Sequence, residues 1–266
     1  MLRSPHAVVS PAVRCASYTA DPPSSYASIV GRHCASFRRT TLSPSSSSGI
    51  RRAAVLVPLV TTQQGPSLLF TIRAPTLRSH SGQVSFPGGH LEPGETPTEA
   101  ALREAHEELG VDPTAVLPLC LHDDGIVRGV WVTPVLAELQ GDFSEQGLQR
   151  LVLAPEEVSS VFTLSIAHLS APENVTHELL SPRSGTLVDD GDPPPGGYSG
   201  GGLVRVPAFH GGPARIWGFT AWLVQRLLET VLVPAQHEWD LGGRRPTGGG
   251  GGGGGAPGRR GGGGDS

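Results

Sequence analysis

Short apolar runs recur along residues 53–235 and predict a series of strands, with apolar residues at helical spacing near the end. The predicted strands are 53–60, 68–72, 115–122, 130–139, 162–166, 175–180 and 203–209. Residues 155–161 are predicted to form a helical turn that leads into the strand 162–166, and a final helix is expected from 215 to about 233. The region has the size of one domain.

The best-specified helix of the chain is predicted between Thr96 and Gly110. Thr96 can act as the N-cap with Glu99 three residues later, Pro97 suits the first helical position, and Gly110 suits the stop. At about 100° per residue, one arc of this helix is apolar and a separate arc is acidic. The apolar arc holds Ala101, Leu102, Ala105 and Leu109, and the acidic arc holds Glu104, Glu107 and Glu108. One side is expected to pack and the other to do chemistry.

The three glutamates of the acidic arc point to a divalent cation. Glu104, Glu107 and Glu108 stand at i, i+3 and i+4, so their carboxylates crowd together and repel one another unless a cation lies among them. Mg²⁺ prefers one or two carboxylates together with waters and the phosphate oxygens of a substrate. The spacing therefore predicts a metal that also binds phosphates.

Residues 89–111 have the form Gly-x5-Glu-x7-Arg-Glu-apolar-x-Glu-Glu-x-Gly-apolar, which resembles the Nudix box. The matching positions are Gly89, Glu95, Arg103, Glu104, Ala105, Glu107, Glu108, Gly110 and Val111. The resemblance implies a loop-helix-loop whose three glutamates bind Mg²⁺ or Mn²⁺, with Arg103 and Glu95 orienting the catalytic carboxylates. The alternative, a surface helix with a solvated acidic face, explains neither the Gly-rich entry nor the placing of Glu95 and Arg103.

A second motif, in residues 69–89, resembles the signature of the coenzyme A diphosphatases within that family. The residues in register are Leu69, Thr71, Arg73, Ala74, Arg78, Gly82, Phe86, Pro87, Gly88 and Gly89. Arg73 and Arg78 are candidate anion ligands, because a guanidinium presents a planar fork to phosphate oxygens. The alternative for each arginine is a surface ion pair. With Gly82, Gly88 and Gly89, the two arginines form the predicted substrate-binding set.

Together the two motifs imply a Nudix-fold α/β/α sandwich with a mixed β-sheet over residues 53–235. The implied reaction is metal-dependent hydrolysis of coenzyme A or acyl-coenzyme A to 3′,5′-ADP and 4′-phosphopantetheine or its acyl form. One alternative is hydrolysis of another nucleoside diphosphate derivative, such as ADP-ribose or NADH. Another is a binding module without catalysis, against which the intact glutamates argue.

Residues 1–52 have the composition of an organelle transit peptide and linker. They contain seven Arg, many Ser and a single acidic residue, Asp21, without the apolar run of a secretory signal. Mitochondrial localisation is the first expectation, and a chloroplast or the cytoplasm is the alternative. No apolar run approaches the roughly 18 residues that span a bilayer, so no membrane association is expected.

Charge and composition narrow the remaining possibilities. The chain carries a net charge of −4, and because residues 1–52 contribute +6, the remainder carries −10. Nucleic-acid binding is therefore not expected. With Cys15 and Cys34 in the expected presequence, Cys120 stands alone in the body and predicts no disulfide there. Residues 181–202 and 236–266, rich in Gly and Pro, are predicted to be a disordered loop and tail. The sequence leaves the oligomeric state open.

Overall fold

The structure is a computed structural model that describes residues 25–41, 51–77, 80–127, 129–180, 187–188 and 204–243. A mixed β-sheet lies between two helical layers, which is the predicted α/β/α arrangement. The strands of this sheet are β1 (Arg51–Thr62), β2 (Gly65–Arg73), β3 (Val84–Ser85), β4 (Gly88–His90), β5 (Val116–Leu121), β6 (Gly125–Val127), β7 (Val130–Leu139) and β8 (Val158–Ser165). A smaller sheet consists of β9 (Val175–Leu180), β10 (Leu187–Val188) and β11 (Val204–Phe209).

Strand β1 organises the main sheet because it pairs with a different partner at each end. It runs parallel to β7 over residues 51–59, and its last residues form an antiparallel hairpin with β2. At its start, Ala53–Val55 pair instead with β4. The sheet therefore opens between β1 and β2 where β4 enters, and β4 leads into the predicted chemical helix. Only the pairing of β1 with β7 is parallel in the described part of the sheet.

Helix α2 (Pro97–Leu109) covers one face of the sheet and begins and ends as predicted. The Thr96 side chain accepts from the backbone N–H of Glu99, the Glu99 carboxylate accepts from the N–H of Thr96, and Gly110 adopts the left-handed conformation with φ of 66°. The buried residues of α2 include three alanines, Ala100, Ala101 and Ala105. Because these side chains are small, the backbone of α2 lies close to the sheet.

The opposite face is covered by three helical segments from both ends of the chain. These are α1 (Tyr26–Ser36), α5 (Gly218–Leu227) and α6 (Val233–Gly243), with a π-helical turn at Leu228–Leu232 between the last two. They pack on a cluster in which Phe70 stacks between Phe86 and Phe162. Two short helices, α3 (Glu145–Leu148) and α4 (Ile166–Ser170), and two 3₁₀ turns, Pro113–Ala115 and Pro172–Asn174, complete the described elements.

Helix α1 is the main difference from the sequence analysis, which placed residues 1–52 outside the folded domain. Tyr26, Ile29 and Val30 are buried in the core, and Cys34 forms a disulfide with Cys120 of β5. The expectation of a body without a disulfide was therefore wrong. The positive, acid-poor composition of residues 1–52 indicated a targeting segment. The apolar face of the short helix α1 within it was therefore not recognised. Residues 1–24 and 42–50 of the predicted presequence lie outside the described residues.

Other predicted boundaries also shift. Residues 158–161, predicted as part of a helical turn, belong to strand β8, because Val158 and Val161 pair with the outer edge of β2. Helix α6 continues through Gly243, beyond the predicted start of the tail at 236. The predicted disordered loop, 181–202, lies outside the described residues except for β10. The predicted strands 175–180 and 203–209 correspond to β9 and β11, which pair antiparallel.

None of the helices that the structure describes is long and apolar enough to cross a membrane.

Candidate active site

The entry to the site is a pair of glycines beside which an added Cβ would meet backbone at Gly88 and the end of a side chain at Gly89. Gly88 has a φ of 157°, and a Cβ there would overlap the backbone of Ala54 and Val55 in β1. A Cβ on Gly89 would overlap the carboxylate of Glu104. The absence of a side chain at these two positions therefore lets β4 pair with β1 and lets a helix carboxylate approach the backbone.

Arg103 joins most of the predicted catalytic residues in one network. Its Nε and Nη2 donate to the two carboxylate oxygens of Glu95 at 2.8 and 3.2 Å, a bidentate pair. Its Nη1 donates to Glu104 at 2.9 Å and to Glu107 at 3.2 Å, and Nη2 also donates to the carbonyl of His90 at 3.0 Å. Arg103 thereby fixes the loop of residues 90–95 against the acidic side of α2.

The network also divides the acidic residues electrostatically. The hydrogen bonds from Arg103 lower the pKa of Glu95 and hold it ionised. In turn, the carboxylates of Glu95 and Glu104 raise the pKa of Arg103. Burial acts in the opposite direction at Glu104 and raises its pKa, although Arg103 partly offsets this. Glu107 differs from both because its side chain is 56% exposed, against 14% for Glu104.

Glu108 is the buried carboxyl group of the site. It is 3% exposed, and the backbone N–H of Gly88 donates to its Oε1 at 3.4 Å. Burial, together with the nearby charges of Glu104 and Glu157, raises the pKa of Glu108 to about 8. Ionisation of a carboxyl group in this buried position is unfavourable unless a positive charge lies nearby.

Arg73, one of the two predicted anion ligands, is near enough to Glu108 for its positive charge to lower the pKa of that carboxyl group. The side chain is half-buried, and its buried Nε has no hydrogen-bond partner among the described groups. Gly82 closes the loop after β2, with a φ of 69° and an N–H donated to the carbonyl of Arg73 at 3.1 Å. Arg78 lies outside the described residues, so its role stays a prediction.

Sequence reasoning missed Glu157, which the fold brings to the same place. Its backbone carbonyl accepts from the N–H of Ala74, and the turn before it is tied to α2 by the N–H of Ala154, which donates to the carbonyl of Glu108 at 3.0 Å. The exposed Glu157 carboxylate raises the pKa of both Glu104 and Glu108. The sequence offers only a Pro-Glu-Glu turn before a strand as a signal, because the contact depends on the pairing of β8 with β2.

With this geometry established, comparison with known proteins places the chain in a family. The NUDIX domain model matches residues 50–183. The chain belongs to the Nudix family. It is 33% identical to Nudix hydrolase 3 of Caenorhabditis elegans over 71% of this chain and 76% of that protein. It is 35% identical to the mitochondrial coenzyme A diphosphatase NUDT8 of Homo sapiens, over 74% of this chain and 75% of the relative.

A probable nudix hydrolase of Schizosaccharomyces pombe is 58% identical over 68% of this chain and 56% of that protein. The family assignment confirms the predicted fold, and it makes the protein a Nudix pyrophosphohydrolase. Members of the family typically use a divalent metal. The Nudix box residues described above are therefore the ones in which to look for it.

The donor set suits a divalent ion, although the described residues do not form a three-ligand cage. Among them, no three His, Cys, Asp or Glu side chains are grouped closely enough to hold an ion together. Arg103 donates to both Glu104 and Glu107, and Glu104 also lies close enough to Glu108 for their charges to interact. One or two carboxylates with phosphate oxygens are sufficient for Mg²⁺. The buried, proton-retaining Glu108 is the group that a cation would convert to a stable anion.

Proposed function

We propose that this Nudix hydrolase cleaves the diphosphate of coenzyme A or acyl-coenzyme A to 3′,5′-ADP and 4′-phosphopantetheine or its acyl form. The observation that carries the proposal is that Arg73, a residue of the coenzyme A signature, is near enough to Glu108 of the Nudix box for their charges to interact. The two motifs adjoin at Gly89, and the fold brings a charged residue from each of them into electrostatic reach of the other. The relative named as a mitochondrial coenzyme A diphosphatase supports the same substrate.

Glu104 and Glu108 are the residues that would hold Mg²⁺ or Mn²⁺, with the exposed Glu107 available to a further ion or to its waters. When bound, such an ion polarises a phosphoanhydride and lowers the pKa of an attacking water. Arg103 and Glu95 position the carboxylates, because the bidentate pair fixes the guanidinium that contacts Glu104 and Glu107. The Glu157 carboxylate adds negative charge near Glu104 and Glu108.

Arg73 is assigned to the substrate diphosphate. Its Nε is buried without a partner, and a phosphate oxygen is the acceptor that a guanidinium in such a place binds best. Arg78 is assigned to substrate phosphate on its position in the signature alone. Gly88 and Gly89 are assigned to the substrate on their positions in the signature, and the lack of side chains there lets β1 and the Glu104 carboxylate pack against β4.

The assignment is tested by the masses of the products from a panel of diphosphates. We expect coenzyme A and a short acyl-coenzyme A to give 3′,5′-ADP and the matching phosphopantetheine with the highest kcat/KM, and only in the presence of Mg²⁺ or Mn²⁺. Faster cleavage of ADP-ribose or NADH would establish the alternative substrate class. A protein that binds these compounds without cleaving any of them would instead be the binding module.

We further propose that the protein acts in mitochondria, as the name of the human relative suggests for that protein, after removal of a leader that ends before Ser25. Residues 25–41 are part of the folded unit, so a cut at residue 52 would remove part of the core. We expect the protein isolated from mitochondria to begin at or before residue 25, as read by intact mass. A full-length form confined to the cytosol would contradict this proposal.

A further inference from the structure

The disulfide between Cys34 and Cys120 joins two segments that are distant in sequence. Cys34 lies near the end of α1 and is 7% exposed, and the half-buried Cys120 lies in β5, 86 residues later. Their Cα atoms are 5.8 Å apart, within the range of ordinary disulfides. Because Cys34 is buried, reagents reach its sulfur only when α1 moves away from the sheet.

Helix α1 is otherwise held by a small set of contacts. The hydroxyl of Tyr26 donates to the carbonyl of Leu232 at 2.9 Å in the π-helical turn. Arg32 and His33 both pair with Glu238 of α6, and these groups are partly exposed. Exposed ion pairs add little stability, so the apolar side of an 11-residue helix carries most of the attachment.

The segment after α1, residues 37–41, extends the attachment to the corner that follows β5. Arg39 donates to the carbonyl of His122 at 2.9 Å and pairs with Asp124, and the N–H of Thr40 donates to Asp123 at 2.7 Å. The ring of Phe37 stacks on that of His122 with centroids 4.4 Å apart. The disulfide therefore lies between a helix and an extended segment that dock on the same edge of the domain.

We propose that Cys34 and Cys120 form a reversible redox clasp, which fastens residues 25–41 to the Nudix domain when oxidised and lets them detach when reduced. In the closing reaction, the Cys34 thiolate attacks glutathione disulfide and releases one glutathione. The Cys120 thiolate then attacks the sulfur of Cys34 and releases the second. Two protein thiols are oxidised to one disulfide, one glutathione disulfide is reduced to two thiols, and the two protons pass to the departing glutathione thiolates.

The clasp matters because it closes a long loop. A cross-link over 86 residues restricts the unfolded chain strongly, and reduction returns that freedom. When α1 detaches, it uncovers apolar residues on the layer formed by α5 and α6, including Val231 and Leu232. The oxidised and reduced proteins are thus expected to differ in global stability and, more sharply, in the local protection of α1.

The test uses the full chain carrying Cys15→Ser, so that Cys34 and Cys120 are its only cysteines. The protein is equilibrated over a series of glutathione ratios, the thiols are counted by alkylation and intact mass, and the thermal midpoint is recorded. We expect a two-thiol transition and a midpoint about 5–10 °C higher in the oxidised form. The single variants Cys34→Ala and Cys120→Ser in the same background serve as controls. In each of them, the thermal midpoint should no longer depend on the glutathione ratio.

Amide exchange locates the effect without relying on a variant. In the oxidised protein, residues 29–36 should exchange at least tenfold more slowly than in the reduced protein, whereas α2 should change little. The proposal is overturned if both thiols stay alkylatable under every ratio, or if the disulfide forms and neither the midpoint nor the exchange of α1 changes. Because the reduced parent protein is its own comparison, a folding defect in either variant does not affect the conclusion.

Discussion

Replacement of Glu108 by Gln should lower kcat by several orders of magnitude while the protein becomes as stable as the wild type or more so. The side chain keeps its shape but loses the charge through which it would bind a metal ion. The folded protein keeps this carboxyl group buried, with its pKa raised to about 8. An uncharged amide therefore removes the free-energy cost of keeping this group protonated in the folded protein while it is ionised in the unfolded chain. The measurements are steady-state kinetics and the thermal midpoint in chelator.

The stability difference between the wild type and Glu108→Gln should depend on pH in a defined direction. Between about 4.5, the ordinary pKa of the group, and about 8, its folded pKa, the folded wild-type protein holds a proton that the unfolded chain has lost. Wild-type stability therefore falls as the pH rises through this window, and the advantage of Glu108→Gln should grow across it and then level off. Glu145→Gln, on the exposed surface of α3, is the matched control. Near-wild-type turnover by Glu108→Gln would contradict the site assignment.

Replacement of Arg103 by Lys should lower kcat/KM about 10- to 100-fold and raise the Mg²⁺ concentration needed for half-maximal activity. A single ammonium cannot bind both oxygens of Glu95 and also reach Glu104 and Glu107. The positive charge is kept, so the loss reports the positioning of the carboxylates and not their neutralisation. The measurement is a metal titration of the initial rate for each protein.

The control for this substitution is Arg150→Lys. Arg150 is 75% exposed, and its Nη1 comes no closer than 3.8 Å to the carboxylate of Asp142. Its replacement should therefore leave kcat/KM and the Mg²⁺ requirement unchanged. If Arg103→Lys lowers kcat/KM without any change in its metal requirement, Arg103 acts on the substrate directly and its positioning role is wrong.

The parts of the site that could be predicted are those specified locally. The start of α2 at Thr96, its end at Gly110 and the alignment of its glutamates all depend on residues within one or two turns of each other. The Gly88–Gly89 entry is equally local. Glu157 could not be predicted, because it reaches the site only through the pairing of β8 with β2, which no short-range pattern encodes.

Helix α1 escaped prediction for a related reason. Its apolar positions are few, its composition is that of a targeting segment, and its partners Leu232 and Glu238 lie some 200 residues further along the chain. The strands were easier, because runs such as 130–139 are mostly apolar in a strand buried on both faces. The apolar pattern therefore predicted most strands of the sheet, whereas it did not predict a short helix that packs on distant helices.

The contact between Tyr26 and Leu232 has a consequence for how the protein is made. The two residues are separated by 206 positions, so at about 5–20 residues per second the first helix waits roughly 10–40 s for its partner to be synthesised. During synthesis from the N-terminus, the apolar side of α1 thus stays exposed to solvent until its partners have been made. Helices α5 and α6 cover this segment only after they have been synthesised, so the domain cannot complete its fold until its C-terminal quarter is present.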